Sequence, residues 1–147
     1  MSQGSIAVAS DHAGYDLKRS VVAWLRDRGY TVTDLGTDST DSVDYPDYGY
    51  ALAEAVAAGR AATGIAICGT GIGISIAANR NPEVRAAVCC STEAAELARA
   101  HNDANVLALG ARLIPEDAAL RILDAFLATG FEGGRHARRV ARLGAPD

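Results

Sequence analysis

The sequence predicts an α/β fold in which helices cover both faces of a five-stranded parallel sheet. Apolar runs of strand length alternate with segments of helical periodicity from one end of the 147 residues to the other. The apolar runs are nearly continuous, which is typical of parallel strands that are buried on both faces. Connections rich in glycine, proline and polar residues separate the segments. These observations favour strand–helix–strand units that follow one another along the chain.

The first half of the chain contains three predicted strand–helix units. Apolar residues at helical spacing, such as Leu17, Val21 and Leu25, identify the helices, and Gly29 and Gly59 end the first two of them. The predicted elements are, in chain order, strand 5–10, helix 16–28, strand 31–35, helix 46–58, strand 64–68 and helix 73–80.

The second half continues the alternation and ends in a basic helix. Ser91 or Thr92 is expected to cap one helix, and Pro115 is expected to open the last long helix, which Gly130 ends. The predicted elements are strand 85–90, the capped helix, strand 105–109, the helix after Pro115 and a basic helix at about 134–143. Five such units indicate a doubly wound domain of Rossmann or flavodoxin type. Because the sequence has no internal repeat and no linker, we expect residues 1–147 to form a single domain.

Composition and charge exclude several classes of protein. The net charge of -4 argues against a nucleic acid or a membrane surface as the main partner. No apolar run reaches the ~18 residues that a membrane span needs, and the N-terminal residues lack a basic segment followed by a hydrophobic one. Cys68, Cys89 and Cys90 lack metal-ligand spacing and are too few for a disulfide framework. We therefore expect a cytoplasmic protein.

A ligand of such a fold binds outside the carboxyl ends of the strands. The residues that directly follow the predicted strands are therefore the candidate site. They are Asp11 and His12, residues 68–73, Ser91 and Arg112.

Cys68 stands where the third predicted strand meets a glycine-rich turn and then a helix. Gly69, Gly71 and Gly73 permit positive φ angles, so we expect the backbone N–H groups of the turn to point inward. Those N–H groups and the helix N-terminus favour an anion and the thiolate form of Cys68. The motif alone leaves two alternatives open, a merely tight turn and a buried, inert cysteine. Its position favours chemistry for Cys68, whereas Cys89, like Cys90, is expected to pack.

Other polar residues each have a functional and a structural interpretation. Asp11 and His12 together suit hydroxyl and phosphate groups, although Asp11 equally suits the cap of the next helix. His101 ends a predicted helix, where the helix dipole alone would favour it. Arg135 and Arg139 share one face of the basic helix, where they would clamp a phosphate dianion or remain solvated.

Five segments carry a family resemblance that covers nearly the whole chain, in order. They read Asp-His-Ala-Gly at 11–14, Asp-Tyr-Pro at 44–46, Ile-Cys-Gly-Thr-Gly-Ile-Gly-Ile-Ser-Ile-Ala-Ala-Asn at 67–79, His-Asn-Asp-Ala-Asn-Val at 101–106 and Gly-Gly-Arg-His at 133–136. With these segments the chain resembles the type B ribose-5-phosphate isomerases. That family also resembles the subunits of galactose-6-phosphate isomerase.

The resemblance implies interconversion of ribose 5-phosphate and ribulose 5-phosphate through ring opening and an enediolate. By similarity, His101 opens the ring with help from Asp11, and Cys68 is the base that moves the proton between C2 and C1. The chain matches the branch that uses a cysteine, because Ile74 and Ser75 stand where the other branch has a glutamate. Thr70 adds its hydroxyl to the N–H groups that meet the enediolate.

The resemblance also implies the binding residues and the assembly. The substrate-binding residues that it implies are Asp11, His12, Tyr45, Gly69, Thr70, Gly71, Ile72, Gly73, Asn102, Arg112, Arg135 and Arg139. Protein groups supply all of the proton transfer and oxyanion stabilisation, so we expect neither a metal nor a cofactor. The implied assembly is a homodimer with shared active sites, in which His101 and Asn102 approach the Cys68 turn of the partner. Two such dimers would form a tetramer.

Two alternative functions stay open on the sequence alone. An isomerase of six-carbon sugar phosphates, such as allose or galactose 6-phosphate, would differ in the depth of its pocket. A non-catalytic module that binds a phosphosugar or flavin mononucleotide would need only the fold and the glycine turn. The module leaves Cys68 and His101 without a role, so we favour the five-carbon isomerase.

Overall fold

A computed structural model describes residues 4–146 and contains the predicted parallel sheet. Its strands are β1 (Ser5–Ser10), β2 (Thr31–Asp34), β3 (Thr63–Cys68), β4 (Ala86–Val88) and β5 (Val106–Gly110). They are all parallel and lie in the order β2-β1-β3-β5-β4. The predicted α/β class and the five parallel strands are therefore confirmed. The ends of the predicted domain, residues 1–3 and 147, lie outside the described residues.

Within residues 4–146 there are six helices, of which the first five pack against the sheet and the last packs against the fourth. They are α1 (Tyr15–Asp27), α2 (Tyr45–Ala57), α3 (Ile72–Ala78), α4 (Thr92–Asn102), α5 (Glu116–Ala128) and α6 (Arg135–Arg142). The predicted bounds differ from these by one or two residues. The strand predicted at 85–90 is too long, because β4 is an edge strand of three residues and Ser91 already caps α4. Among residues 4–146, no helix combines the length and the hydropathy that a membrane crossing requires.

The two faces of the sheet carry different hydrophobic cores. Large residues such as Val8 and Ile67 face α1, α4 and α5, whereas Ala7 and Ala66 face α2 and α3. The small residues let α2 and α3 pack closely, and a Cβ added at Gly49 of α2 would lie 2.7 Å from the Cβ of Ala77 in α3. This close packing brings the start of α2 next to the start of α3.

Because the strands are parallel, the predicted site residues lie at two opposite borders of the sheet. The ends of the strands form the carboxyl edge, and the starts of the strands form the amino edge. Cys68 is the last residue of β3 and pairs with Gly110, the last residue of β5. At the other edge, Gly64 pairs with Val106, and α4 ends just before that point. Residues that follow β1, β3 and β5 therefore lie together, and the end of α4 lies at the far edge.

The turn after β3 packs directly against the end of β5. A Cβ added at Gly110 would lie 2.5 Å from the carbonyl oxygen of Thr70. A Cβ added at Gly71, whose φ is +77°, would lie 2.9 Å from the carbonyl carbon of Leu109. Real Cβ atoms do not approach backbone atoms this closely, so glycine at these two positions is needed to hold the turn in place.

We expect Gly110→Ala to lower the free energy of unfolding by about 1–3 kcal/mol, because the added methyl group forces the turn away from β5. Gly130→Ala is the matched control, since a Cβ there would meet nothing within 4 Å. Denaturant unfolding of both variants measures the difference. Equal unfolding free energies for the two variants would show that the contact with Thr70 does not constrain the turn.

Candidate active site

A cavity of about 370 Å³ opens at the carboxyl edge of the sheet. It gathers residues that are distant in sequence but that all follow strands or begin helices α2 and α3. Its lining residues are Asp11, His12, Ala13, Tyr45, Cys68, Gly69, Thr70, Ile72, Gly73 and Arg112. Apart from Ala13, each of these was predicted as a site residue. Of the predicted residues, Gly71, His101, Asn102, Arg135 and Arg139 do not line it.

Cys68 lies at the floor of this cavity with its sulfur held by the turn. The side chain is 4% exposed, and Sγ accepts the N–H of Gly71 at 3.2 Å. Gly71 takes a left-handed backbone, which turns its N–H back toward the strand end. An N–H donor directed at the sulfur stabilises negative charge there. The cysteine that the sequence singled out thus lies in the cavity with a backbone N–H directed at its sulfur.

The glycines beside Gly71 are required for a reason that differs from the predicted one. Neither Gly69 nor Gly73 has a positive φ, so that expectation was wrong. A Cβ at Gly73 would lie 2.6 Å from Cε1 of Tyr45, and a Cβ at Gly69 would lie 3.3 Å from Nη1 of Arg112. These glycines let two side chains from other elements approach the turn, which local sequence rules do not reveal.

Several backbone N–H groups of the turn that lines the cavity lack a protein acceptor within residues 4–146. Thr70 Oγ1 accepts the N–H of Ile72 at 3.1 Å, which orders the start of α3. Within residues 4–146, the N–H groups of Gly69, Thr70 and Gly73 donate to no protein acceptor. Free donors at the start of a helix suit an oxyanion or a phosphate oxygen.

Asp11 and His12 follow β1 and are fixed by backbone N–H groups. Asp11 Oδ1 accepts the N–H of Gly14 at 3.1 Å, and Asp11 lines the cavity. The expectation that Asp11 caps α1 was wrong, because the N-cap residue is Gly14 and the first turn of α1 has no side-chain cap. His12 Nδ1 accepts the N–H of Val43 at 3.1 Å. In the neutral ring this bond leaves the proton on Nε2, which is the free nitrogen.

Arg112 supplies a cation to the cavity. Its backbone N–H donates to the carbonyl of Gly69 at 2.9 Å, which ties it to the turn after β3. Among the described residues, no carboxylate oxygen lies within 4 Å of its guanidinium group. An arginine without a protein counter-ion is suited to bind a phosphate group.

A second cluster lies where α4 meets α6. The rings of His101 and His136 are stacked, with centroids 4.3 Å apart and planes at 15°. His136 Nε2 is buried without a hydrogen-bond partner, and Glu132 Oε1 lies 3.8 Å from it. Burial, and next the charge of Arg135, lower the pKa of His136, which favours its neutral form. Sequence reasoning missed His136 as a neighbour of His101, although the Gly-Gly-Arg-His segment pointed to it.

The same cluster is poorly arranged for a metal ion. Ligand atoms of His101, Glu132 and His136 lie within 4.8 Å of one another. An imidazole binds a metal through a lone pair in the plane of its ring. Because the two rings are nearly parallel and stacked, their lone pairs do not converge on one point. This arrangement is therefore unfavourable for a metal ion.

One chain does not bring the two clusters together. Cys68 pairs with Gly110 at the carboxyl edge, whereas His101 precedes Val106 at the amino edge. The four residue steps from Val106 to Gly110 span about 13 Å. Asn102 lines a different cavity, of about 440 Å³, and His136 of α6 lies against His101.

The remaining candidates after β4 have structural roles. Cys89 is buried, and burial together with the charge of Cys90 raises the pKa of its thiol to about 11. It therefore stays protonated at neutral pH and packs as predicted. Cys90 is exposed, so the expectation that it packs was wrong. Ser91 Oγ accepts the N–H of Ala94 at 3.1 Å, and Ser91 is thus the cap of α4.

Comparison with known proteins agrees with this fold. The sequence model of the ribose/galactose isomerase family matches residues 6–143. Ribose-5-phosphate isomerase B of Escherichia coli K12 is 49% identical over 138 residues, which are 94% of this chain and 93% of that protein. The structure of ribose-5-phosphate isomerase B from Clostridium thermocellum matches with a TM-score of 0.94 and 54% identity over 95% of each chain.

A further structure, ribose-5-phosphate isomerase B from Mycoplasma genitalium, contains bound ribulose 5-phosphate. It matches with a TM-score of 0.92 and 40% identity, over 97% of this chain and 95% of that chain. The family model and these relatives cover nearly the whole chain, and the chain therefore belongs to the ribose/galactose isomerase family.

Proposed function

We propose that this protein is a ribose-5-phosphate isomerase, which interconverts ribose 5-phosphate and ribulose 5-phosphate. Besides membership of the family, one structural observation supports this reaction. Cys68 lines a cavity together with turn residues whose N–H groups have no protein acceptor within residues 4–146, and with Arg112, which has no ion-pair partner among those residues. A base, an oxyanion site and a phosphate-binding group are what this reaction requires. The E. coli and M. genitalium relatives named above support the same five-carbon substrate.

Cys68 is the proposed base for the isomerisation step. Its thiolate removes the proton from C2 of the open-chain aldose, and the electrons of that bond form the C1–C2 double bond of an enediolate. The thiol then delivers a proton to C1 while the proton of the C2 hydroxyl moves to O1, so that C2 becomes the carbonyl of the ketose. Negative charge develops on oxygen, and the N–H groups of Gly69, Thr70 and Gly73 meet it without reorganising. One preorganised donor of this kind contributes ~3 kcal/mol in other enzymes.

His101 and Asp11 are the proposed residues for ring opening. The cyclic sugar opens when a proton leaves the anomeric hydroxyl and another reaches the ring oxygen. An imidazole serves in this exchange because it accepts and donates protons near neutral pH. Asp11 lines the cavity and is held in place by Gly14, so its carboxylate has a fixed position against the sugar hydroxyls.

Cationic groups of both clusters are the proposed phosphate site. Arg112 and His12 lie on the Cys68 side, and Arg135 and Arg139 lie on one face of α6. Phosphate binding remote from the reacting carbons holds C1 and C2 against the base, which raises the rate through orientation.

We also propose that the complete site is shared between two subunits of a homodimer. Within one chain the His101 cluster and the Cys68 cavity lie at opposite edges of the sheet. A two-fold dimer brings the His101 edge of one subunit to the Cys68 edge of the other, and it does so twice. Ile72 and Ile76 of α3 are about half exposed beside the cavity, which supports a partner surface there. The three free cysteines suit a reducing compartment, so we propose a cytoplasmic location.

Replacing the proposed base tests its role. Cys68→Ala should lower kcat for ribose 5-phosphate at least ~10²-fold with little change in KM, because the thiolate acts mainly in the transition state. Cys89→Ala is the control, since its thiol stays protonated and lies in the core. Retention of more than about a tenth of kcat by Cys68→Ala would contradict the assignment.

The choice of substrate is tested by comparing ribose 5-phosphate with allose 6-phosphate. Formation of the ketose is followed for each sugar, and we expect a higher kcat/KM for ribose 5-phosphate. Comparable values for the two sugars would overturn the five-carbon preference.

The shared site predicts recovery of activity in mixed dimers. Cys68→Ala and His101→Asn chains, each nearly inactive alone, are unfolded and refolded together. With random pairing about half of the dimers are mixed, and each mixed dimer has one site with both groups intact. Activity should therefore return to about a quarter of the wild-type value. If both groups act within one chain, no site is complete and the mixture stays as inactive as its components.

A further inference from the structure

Asp103 follows directly on His101 and Asn102 and has an unusual backbone. It is the only residue other than glycine in residues 4–146 with a positive φ, at 48° with ψ 42°. The left-handed region is disfavoured for side chains with a Cβ, although aspartate and asparagine tolerate it best. Its N–H donates to the carbonyl of Arg99 at 3.2 Å, so α4 ends here in a sharp turn.

Two arginines from different elements hold Asp103. Oδ1 accepts from Arg99 Nη1 at 2.8 Å, within α4. Oδ2 lies 3.6 Å from Arg85 Nη2, just before β4, and the backbone carbonyl of Asp103 accepts from Arg85 Nε at 2.8 Å. The carboxylate and the carbonyl of one residue are therefore both bound, which fixes its peptide plane as well as its side chain.

The two arginines are themselves anchored to the surrounding backbone. Arg99 Nη1 also donates to the carbonyl of Ala104 at 2.8 Å, and Arg99 Nε donates to the carbonyl of Thr129 at 3.2 Å. The backbone N–H of Arg85 donates to Asn105 Oδ1 at 2.7 Å. The end of α4 is thus tied to the end of α5 and to the start of β4 and β5 around Asp103.

This arrangement differs from an ordinary surface ion pair in the same protein. Asp117 and Arg121 are also four residues apart in a helix and 3.1 Å apart, but their side chains are 74% and 64% exposed. The carboxylate of Asp103 is 36% exposed and faces two arginines that are still more buried. Exposed pairs fix little geometry because both side chains remain mobile. By contrast, two arginines that are themselves anchored to backbone carbonyls hold the Asp103 carboxylate in one position.

We propose that Asp103 is a positioning residue, which sets the direction in which the end of α4 presents His101 to the sugar ring. The proposal rests on the function proposed above, in which His101 acts in ring opening and Cys68 acts in proton transfer. A displacement of about 1 Å in a catalytic group lowers a rate up to ~10²-fold. Loss of the carboxylate should therefore impair ring opening and leave the chemistry of Cys68 intact.

Two variants separate the carboxylate from the backbone. Asp103→Asn keeps the size of the side chain and a residue that tolerates the left-handed region, and it removes the charge and one of the two acceptor oxygens. Asp103→Gly removes the side chain but relieves the backbone of any strain, so it folds even where the asparagine variant does not. Asp117→Asn is the matched control, because it removes the charge of an aspartate that pairs with an arginine at the same spacing.

Two measurements distinguish positioning from general damage. The first is net conversion of ribose 5-phosphate, which needs ring opening. The second is uptake of deuterium from solvent at C1 of ribulose 5-phosphate, which needs Cys68 but no ring closure. We expect both Asp103 variants to lose about tenfold in kcat for net conversion, and deuterium uptake to stay within about twofold of wild type. Asp117→Asn should change neither rate, and His101→Asn should show the same selective loss more strongly.

The possible results separate the proposals. Equal losses of conversion and uptake in both Asp103 variants would overturn the positioning role, because they indicate damage to the whole site. Wild-type conversion in either folded variant would overturn it as well. A wild-type protein that neither converts ribose 5-phosphate nor exchanges deuterium would instead refute the proposed function, and with it the role of Asp103.

Discussion

The common direction of the five strands is the constraint on which the rest of the structure depends. In a parallel sheet, residues that follow strands collect at one edge and residues that precede them collect at the other. Asp11, Cys68 and Arg112 follow strands and meet in one cavity. His101 precedes β5 and lies at the far edge. A short chain with this topology holds two halves of a site that do not meet, and this is why a second copy enters the proposed mechanism.

The half of the site around Cys68 depends on close backbone contacts and not on a network of charges. Gly110 and Gly71 let the turn after β3 rest directly on the end of β5, and that position directs the N–H of Gly71 at the sulfur. The alanine residues on one face of the sheet also shape the site. They let α2 and α3 pack closely, and this packing places Tyr45 of α2 over Gly73 of α3. Packing that appears purely structural thus determines where the N–H donors lie.

The sequence predicts most of the fold, because the alternation of apolar and helical patterns is local and strong. It also predicts the cavity residues that follow β1, β3 and β5, since the position after a strand is known once the strand is known. Tyr45 follows no strand and was implied only by the family resemblance, and Ser91, which does follow a strand, does not line the cavity. It does not predict contacts between distant segments, such as Tyr45 with Gly73, His12 with Val43, or the stack of His101 on His136. These contacts depend on how far each helix extends beyond the sheet and how closely it packs. The wrong expectation for Gly69 and Gly73 has the same origin, because glycine serves close approach as well as positive φ.

The stack of His101 on His136 connects this geometry to the charge on the substrate. Protonating both rings would place two positive charges 4.3 Å apart, beside the cations of Arg135 and Arg139. Two unit charges at about 4 Å repel by about 4 kcal/mol at the effective dielectric constant of a protein surface. Burial and these cations lower the pKa of His136, which favours its neutral form. In the proposed site, a phosphate dianion bound by Arg135 and Arg139 offsets the positive charge beside the stacked rings. The proposed phosphate-binding residues and the proposed ring-opening residue are therefore coupled through their charges.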